Sequence, residues 1–564
     1  MKAINITINN YRSIHDAIYH LDNYSLLIGA NNAGKSTLVN AIRAFYEKDG
    51  FKYDKKKDYP FDLQNTMEHE SWIDIEFALT QEEYDNLSDD YKLSDNKLKV
   101  RRYFETTHFK THDNKDASGQ IFGYKSDGIL KNEPFYGAKN VQSGKLGALV
   151  YIPAISKVDD HTKLSGPSVL RDLITSILSS VDGSDDLFKK LGDSFTEFAA
   201  NMQSSETGDG RSIQAVEKSL NTMISEWGIG FKLNWTPPNL SDVIKSMIDP
   251  VYIDLAHDKD IAITDVGSGF QRQLIYSIIK VGADFAAKQP KAKKETFEPD
   301  LAWIIFEEPE AFLHPPQQNE LARSLQCLSR LDATQILATT HSSNFVSNNL
   351  QVITGIARIT KNDKGISKLY QISDDDWQEI TDNNKLISQL PAASSMNPDD
   401  FQPEMEAIKY AIYLNPDRAS MFFAKRVLIV EGPTEVALIH KLIDDGKIIP
   451  TTIGYVIIDS IGKFNIHRFM NLLSKLGIEH SVLRDKDPGK QLQAEVNQLI
   501  DNSKTVLTIA IDEINPDLEG FLSLPNPGRT DRKPQNAIFT YVNNNIDSIK
   551  LASFCNIIEK LLSH

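Results

Sequence analysis

Residues 24–36 read Tyr-Ser-Leu-Leu-Ile-Gly-Ala-Asn-Asn-Ala-Gly-Lys-Ser. Tyr24 to Ile28 is an apolar run short enough for a buried strand, and it feeds directly into Gly29–Ser36, a G-x-x-x-x-G-K-S loop. In such a loop the glycines let backbone N–H groups face phosphates. Lys35 adds positive charge and the Ser36 hydroxyl can ligate Mg²⁺, with Asn31, Asn32, Gly34 and Thr37 in the same turn. From Ser36 to Tyr46 the apolar residues Leu38, Val39, Ile42 and Phe45 share one helical side. Strand, loop and helix in this order predict an α/β nucleotide-binding domain with ATP as its ligand. A purely structural glycine turn is the competing reading, and the strand before the loop weighs against it.

Working outward, Ile4, Ile6 and Ile8 alternate with polar residues, and Trp72–Leu79, Leu98–Phe104 and Leu146–Ile152 read as further strands. The pattern turns helical from about Ser165 to Trp227, in Val169–Leu178, Leu187–Phe198 and Ile213–Ile224. This is a helical insert too short for long coiled-coil arms, and it carries no sustained heptads. Gln289–Glu298 is Lys-rich and polar and reads as a solvated loop. Leu301–Phe306, Gln335–Thr340 and Gln351–Ile359 read as strands again. Trp303–Phe306 runs into Glu307-Glu308-Pro309-Glu310, which places Glu307 to complete a Mg²⁺ shell and Glu308 to polarise an attacking water. Aspartate is commoner than glutamate at the first of these positions, so the speed of hydrolysis stays open. His341 follows the strand Ile336–Thr340 and is placed to sense a γ-phosphate. Gly267–Gln273, with Ser268 and Gly269, precedes a helix and can offer N–H groups to phosphate.

Asp374–Asp399 is polar, with Pro391 and Pro398, and reads as a domain connection. A second α/β region starts at Arg426, with strands near Val427–Val430, Tyr455–Ile458, Ser481–Leu483 and Thr505–Ile511. The expected division is 1–160 and 231–372 for the two parts of the ATPase, 161–230 for the helical insert, 373–424 for the connection and 425–564 for the last domain. Glu431 follows an apolar strand and Glu435 lies one helical turn on, so both acids can face one point if Gly432-Pro433 opens a helix. Asp485 and Asp487 are two apart after another strand and share a face in extended chain. Carboxylates gathered at strand ends make an oxygen-rich site suited to Mg²⁺ or Mn²⁺. Asp517-Leu518-Glu519-Gly520 can add a ligand for a second ion. Taken singly, each fragment competes with a reading as solvated loop acids, and for Asp485 and Asp487 alone that reading prevails.

The chain has 564 residues, 41% hydrophobic and 24% charged, which fits two to four soluble globular domains. It has no apolar run of about 18 residues and no signal-peptide pattern at Met1–Asn5, so neither a membrane span nor export is expected. Two cysteines, Cys327 and Cys555, support neither a disulfide framework nor a zinc ribbon and fit a reducing cytoplasm. The net charge of −16 argues against a protein that coats nucleic acid, although acidic and basic residues nearly cancel beyond Arg426.

Tyr11-Arg12-Ser13-Ile14, the phosphate loop, Gly267–Arg272, Glu307–Pro315 and Ala338–Phe345 occur in the order of the ABC-type ATPases related to the RecF and SMC proteins, which the chain resembles over roughly residues 1–370 apart from the insert. The resemblance implies head-to-head dimerisation around ATP, with Ser268 and Gly269 acting on the partner's nucleotide and Arg12 near the nucleotide. Gln64 is the candidate for the family's loop glutamine. The pattern E-G-x-x-E followed by D-x-D resembles the Toprim domain of topoisomerases, primases and certain nucleases. The combination resembles the OLD (overcoming lysogenization defect) nucleases, a group that includes the large subunit of Gabija-type defence systems.

This second resemblance implies a Rossmann-like Toprim domain. In it Glu431, Glu435, Asp485, Asp487 and Glu519 hold two Mg²⁺ or Mn²⁺ ions, with Asp459 in support. Lys533 is the candidate basic residue for the transition state, and the helical insert serves dimerisation. The implied activity is ATP-regulated, divalent-metal-dependent DNA cleavage in anti-phage defence by a homodimer or dimer of dimers. The partner would be a helicase, or a reverse transcriptase with non-coding nucleic acid. An ATP-driven DNA clamp or repair protein with a non-catalytic Toprim domain, and an RNA-cleaving enzyme, are the alternatives. A primase would bring a zinc module that two cysteines cannot supply, and no domain for a topoisomerase tyrosine is evident.

Overall fold

The computed structural model describes residues 1–47, 50–65, 69–137, 145–154, 170–171, 174, 184–208, 211–224, 231–233, 248, 250–288, 296–299, 301–346, 353–393, 402–525 and 527–563. The chain forms two compact units, Met1–Ala154 with Lys291–His564, and Ile155–Pro290.

The first unit holds three sheets. An antiparallel six-stranded sheet runs in the order β2-β1-β4-β5-β6-β7. Its strands are β1 (Lys2–Tyr11), β2 (Ile14–His20), β4 (Glu70–Ala78), β5 (Lys97–Thr106), β6 (Ile121–Tyr124) and β7 (Leu130–Pro134). A second six-stranded sheet is built from β3 (Tyr24–Ile28), β8 (Ala148–Ile152), β11 (Ala302–Glu307), β12 (Thr334–Thr340), β13 (Ile356–Lys361) and β14 (Ser367–Gln371) in the order β14-β13-β3-β12-β11-β8. Only the β13–β14 pair is antiparallel; β13, β3, β12, β11 and β8 run parallel to their neighbours. Every residue of β3 and β12 is buried, the expected state of a parallel strand covered on both faces. The helix Lys35–Tyr46 packs Leu38, Ile42 and Phe45 into one core with Ile6 and Ile75 of the antiparallel sheet and Trp303 and Leu337 of the parallel one.

Two details of strand reading change. In β1 the buried residues are Ala3, Ile6, Ile8 and Tyr11, and Ile4 is only half-buried. A bulge between Ala3 and Asn5 against β4 shifts the alternation by one residue, which a strict period of two cannot anticipate. The strand read over Gln351–Ile359 is β13 at Ile356–Lys361, and residues 351–352 lie outside the described residues.

The third sheet is four-stranded and all parallel, in the order β16-β15-β17-β18. Its strands are β15 (Arg426–Val430), β16 (Tyr455–Asp459), β17 (Glu479–Asp485) and β18 (Thr508–Ile514). Leu428, Val430 and Leu483 share a core with Leu438 and Leu442 of the helix Pro433–Asp444 and with Phe554 and Ile558 of the last helix, Ser548–Leu562. β18 begins three residues later than the run read from Thr505, because Thr508 N–H donates to Thr505 O (3.0 Å) in a turn that leaves Val506 in solvent.

The polar stretch after β14 is helical. Ser373 caps the helix Asp374–Lys385, whose inward residues include Ile380, Thr381 and Asn384. Asn384 donates to Glu406 (3.0 Å) and to the Tyr410 hydroxyl (3.1 Å), and Glu406 is paired with Arg468 at 3.0 Å. The nucleotide-loop sheet meets the third sheet along a close seam. A Cβ placed on Gly477 would lie 2.5 Å from the Tyr370 ring, and Lys475 pairs with Asp376 and Glu379 at 2.8 and 2.6 Å.

In the second unit the described residues form the helices Ser184–Ser204 and Ile213–Ile224, which pack on each other, a hairpin of β9 (Tyr252–Asp254) and β10 (Lys259–Ile261), and the helix Ser268–Lys288. The helix read over Val169–Leu178 and the loop over Gln289–Glu298 fall mostly outside the described residues.

Candidate functional site

The parallel register explains how distant motifs meet. Thr340 pairs with Ile28 and Glu307 with Thr339, so the phosphate loop, Glu307-Glu308 and His341 all leave the carboxyl edge of one sheet. The two loop glycines are demanded by their surroundings. Gly29 has φ 154° and a Cβ there would lie 2.3 Å from Ile359 O; Gly34 has φ 119° and its Cβ would lie 2.4 Å from Ser367 Oγ. Ser367 Oγ donates to Ala33 O (2.8 Å) and bonds Ser13 Oγ (2.8 Å), which in turn reaches Thr37 Oγ1 at 3.5 Å. Asn31, Asn32 and Ser36 stay exposed on the rim, with Asn32 Oδ1 accepting from Lys361 at 3.4 Å. Lys35 is buried and donates to Gly29 O (2.9 Å) and Ala30 O (3.1 Å). Burial pulls its pKa down to about 8, against the opposing pull of Glu308, Glu310 and Glu307.

Glu307 accepts from the Tyr151 hydroxyl of β8, and its other carboxylate oxygen is buried without a partner. The Arg43 guanidinium lies 3.8 Å over the Tyr151 ring. Glu308 has φ 45°, its backbone N–H donates to Thr339 O (2.9 Å), and its carboxylate stands 3.3 Å from His341 Nε2. Burial and the nearby Lys35 lower the His341 pKa. Glu310, which the sequence reading left without a role, accepts from the His341 N–H at 2.6 Å and pins that residue. Arg12 is tied to Asp58, with Nε to Oδ1 at 2.8 Å. Gln64 is half-buried and donates to Lys56 O at 3.3 Å. Ser268 and Gly269 belong to the second unit. The helix there starts at Ser268, inside the motif and not after it, and the Gln271 side chain caps Val266 O at 2.8 Å.

At the third sheet, Glu431 follows β15 and Asp485 ends β17, its parallel neighbour. Glu431 Oε1 accepts from Asp485 N–H at 2.6 Å, locking the two strand ends together. Asp487 joins them by a turn. Its φ is 47° and its N–H donates to Pro516 O (2.9 Å), so the two aspartates converge through a left-handed residue and not through the strand alternation expected from their spacing. Ligand atoms of Glu431, Asp485 and Asp487 lie within 4.8 Å of one another. Glu435, in the first turn of the helix Pro433–Asp444, is buried and accepts from Gly432 N–H at 3.1 Å. Glu519, in the short helix Leu518–Leu522, pairs with Lys533 at 2.9 Å.

Burial pushes Asp485 up to about 8, with the Glu431 and Glu435 charges adding to the shift. Burial likewise pushes Glu435 to about 7, helped by Glu431 and Glu519, and it raises Glu431. Asp487 goes the other way. Burial works against its charge, but donors on Lys463 and Lys490 hold it below the usual carboxylate range. Burial also works against the charge on Lys533, which Glu519 and Glu435 hold above its ordinary value.

Two basic residues here have no sequence signal beyond their charge. Lys463 is buried and donates to Asp485 O (2.6 Å) and Asp487 Oδ2 (2.8 Å), with Glu431 Oε1 at 3.4 Å. Arg418 holds Asp459 through both carboxylate oxygens at 2.7 and 2.9 Å, and Asp459 Oδ1 accepts from the Ile461 N–H (3.1 Å) in the loop after β16.

Residues 1–346 match the family model described as an AAA ATPase domain, and residues 422–487 match the overcoming lysogenization defect protein-like TOPRIM domain. The chain is 24% identical over 540 residues to the Old nuclease of Escherichia phage P2, covering 93% of this chain and 83% of that protein. It is 24% identical over 514 residues to the endonuclease GajA of Bacillus cereus strain VD045, covering 86% and 75%. Among solved structures, the SMC head domain from Thermotoga maritima aligns with a TM-score of 0.31 and 11% identity over 66% of this chain and all (100%) of that one. This chain belongs to the AAA ATPase domain family through residues 1–346, and behind that domain it carries an overcoming lysogenization defect protein-like TOPRIM domain.

Proposed function

We propose that this protein is an ATP-regulated endonuclease that cleaves DNA at the carboxylate centre of its TOPRIM domain with Mg²⁺ or Mn²⁺. The observation that carries the reading is the convergence of Glu431, Asp485 and Asp487 within 4.8 Å. Three acids packed this closely, one of them pushed up to about 8, form a hard oxygen donor set that a divalent cation relieves. Glu435 and Glu519 flank the three and complete the set for a second ion. Ions held there would stabilise the attacking and leaving oxygens of a phosphodiester. The protein's own part is to hold the acids. Glu431 bonds the Asp485 amide, Lys463 fixes Asp487, and Lys533 presents an ammonium beside Glu519 for the charge that develops on the phosphate.

ATP binding rests on the phosphate loop, with Lys35 and Ser36 for the phosphates and Mg²⁺. The orphaned buried oxygen of Glu307 fits a place in that ion's shell. Glu308 and His341 face each other where the γ-phosphate and the attacking water would lie. Dimerisation through Ser268 and Gly269, a cytoplasmic setting and a role in anti-phage defence belong to the same reading, and among the described residues no helix is long and apolar enough to cross a membrane. The test is purified protein on supercoiled plasmid, with and without ATP, across Mg²⁺, Mn²⁺ and Ca²⁺. Metal-dependent nicking or linearisation that changes with ATP is expected. Equal cleavage in a chelator would remove the site, and indifference to ATP would remove the regulation.

A further inference from the structure

Arg358 of β13 is a buried guanidinium with no carboxylate partner among the described residues. All its donors go to backbone carbonyls across the seam. Nε donates to Phe422 O (3.2 Å), Nη1 to Leu476 O (3.1 Å) and Gly477 O (2.9 Å), and Nη2 to Ala424 O (2.9 Å). Burial lowers its pKa only to about 10, so the group is charged at neutral pH. A guanidinium spread over four carbonyls is a rigid, directional clamp, because its planar fork loses little freedom per bond.

What the clamp joins is specific. On one side, Arg358 pairs in register with Ile28, the residue before the phosphate loop. Its neighbour Ile359 presents the carbonyl against Gly29 and a methyl against Gly34. On the other side, Ala424 lies two residues before β15, which Glu431 follows directly, and Leu476-Gly477 lead into β17, which ends at Asp485. Leu476 also closes the helix Ile466–Lys475, whose negative end favours a cation. One side chain therefore holds the starts of both strands that carry the carboxylates, and it is fixed to the strand beside the phosphate loop.

We propose that Arg358 is the positioning residue through which the nucleotide loop sets the geometry of the carboxylate centre. The inference rests on the reading that ATP regulates cleavage. A displacement of the loop against Ile359 moves β13, and the clamp passes that movement to the bases of β15 and β17.

The test uses the full-length protein and supercoiled plasmid with Mn²⁺. Arg358→Met and Arg358→Lys should bind a fluorescent ATP analogue, and Mn²⁺ without nucleotide, as the unaltered protein does. Their ratio of cleavage with ATP to cleavage without it should fall from about 5-fold or more toward one, with the lysine variant keeping part of the response. A folded Arg358→Met with the unaltered ratio overturns the inference. Hydrogen–deuterium exchange on the unaltered protein decides the matter independently of whether a variant folds. ATP should change exchange in residues 422–431 and 476–485, and unchanged exchange there overturns the coupling. Nucleotide-dependent exchange at these segments with ATP-indifferent cleavage would sink the regulatory reading while leaving the coupling intact.

Discussion

The two ends of the molecule are built by opposite means. At the phosphate loop, position comes from the backbone: a strand buried on every residue, two glycines pressed against Ile359 and Ser367, and a parallel register that aligns Ile28, Thr340 and Glu307. At the carboxylate centre, position comes from charge: Glu431, Asp485 and Asp487 crowd together and are held by Lys463, with Lys533 and Lys490 at the edges. The first arrangement is fixed by strand pairing and close backbone packing. The second buries carboxylates beside one another, and burial first, with the neighbouring charges adding to it, pushes Asp485 and Glu435 upward.

The contrast can be broken most directly at the charged end. Asp485→Ala should abolish plasmid cleavage, a loss greater than the roughly 10–100-fold that removal of a supporting residue costs. Calorimetry should show Mn²⁺ binding lost with it. Retained cleavage would mean the centre lies elsewhere. Lys463→Met strands Asp487 and Glu431 without their ammonium, and breaking a buried pair of this kind costs about 3–5 kcal/mol. Thermal unfolding in EDTA should show that destabilisation, and Mn²⁺ should restore more stability to the variant than to the unaltered protein.

At the backbone-built end, Lys35→Ala should remove nucleotide binding while leaving the unfolding midpoint nearly unchanged, because the loop is held by its strands. A large loss of stability would erase the distinction between the two ends.

The smallest effect sharpens the comparison most. The folded pKa of Asp485, about 8, lies above its ordinary value of 3.8, so the folded protein binds the extra proton. Stability should therefore fall as pH rises from about 4 to about 8, since the folded state holds more protons across that window. Asp485→Asn removes the share of this dependence that Asp485 carries and leaves that of Glu435 and Glu431. At pH 8 without metal it should unfold at a higher temperature than the unaltered protein, by roughly 2–4 °C per kcal/mol of repulsion relieved. Added Mn²⁺ should stabilise the unaltered protein more at pH 8 than at pH 6, with protons released on binding. Identical pH profiles for the two proteins would show that the acids are not under strain.

How much of this was legible follows the same division. The phosphate loop was readable because local pattern fixes it: an apolar run, glycines at set spacing and an amphipathic helix. Glu307, Glu308 and His341 were readable because each lies at the end of a strand or one residue past it. At the other end the acids were readable by type and order, but their geometry was not. The spacing of Asp485 and Asp487 pointed to strand alternation, whereas β17 stops at Asp485 and a left-handed residue turns Asp487 inward. Lys463, Arg418 and Arg358 carry no local pattern at all. A basic residue after or within a strand looks solvated until the fold brings carboxylates or carbonyls to it. The segment Asp374–Lys385 looked like a connection because its buried positions include the polar Thr381 and Asn384, and the partners of Asn384, which are Glu406, Tyr410 and Asn471, lie far along the chain.

Gly477 has φ 66°, and any Cβ there would strike the Tyr370 ring. The two positions are more than a hundred residues apart, yet neither is free to drift alone. A side chain at 477 requires both a smaller residue at 370 and a backbone that gives up its left-handed turn. Among descendants of this sequence the pair should change together or not at all, so covariation between 370 and 477 would record in inheritance that the two domains have kept one relative placement.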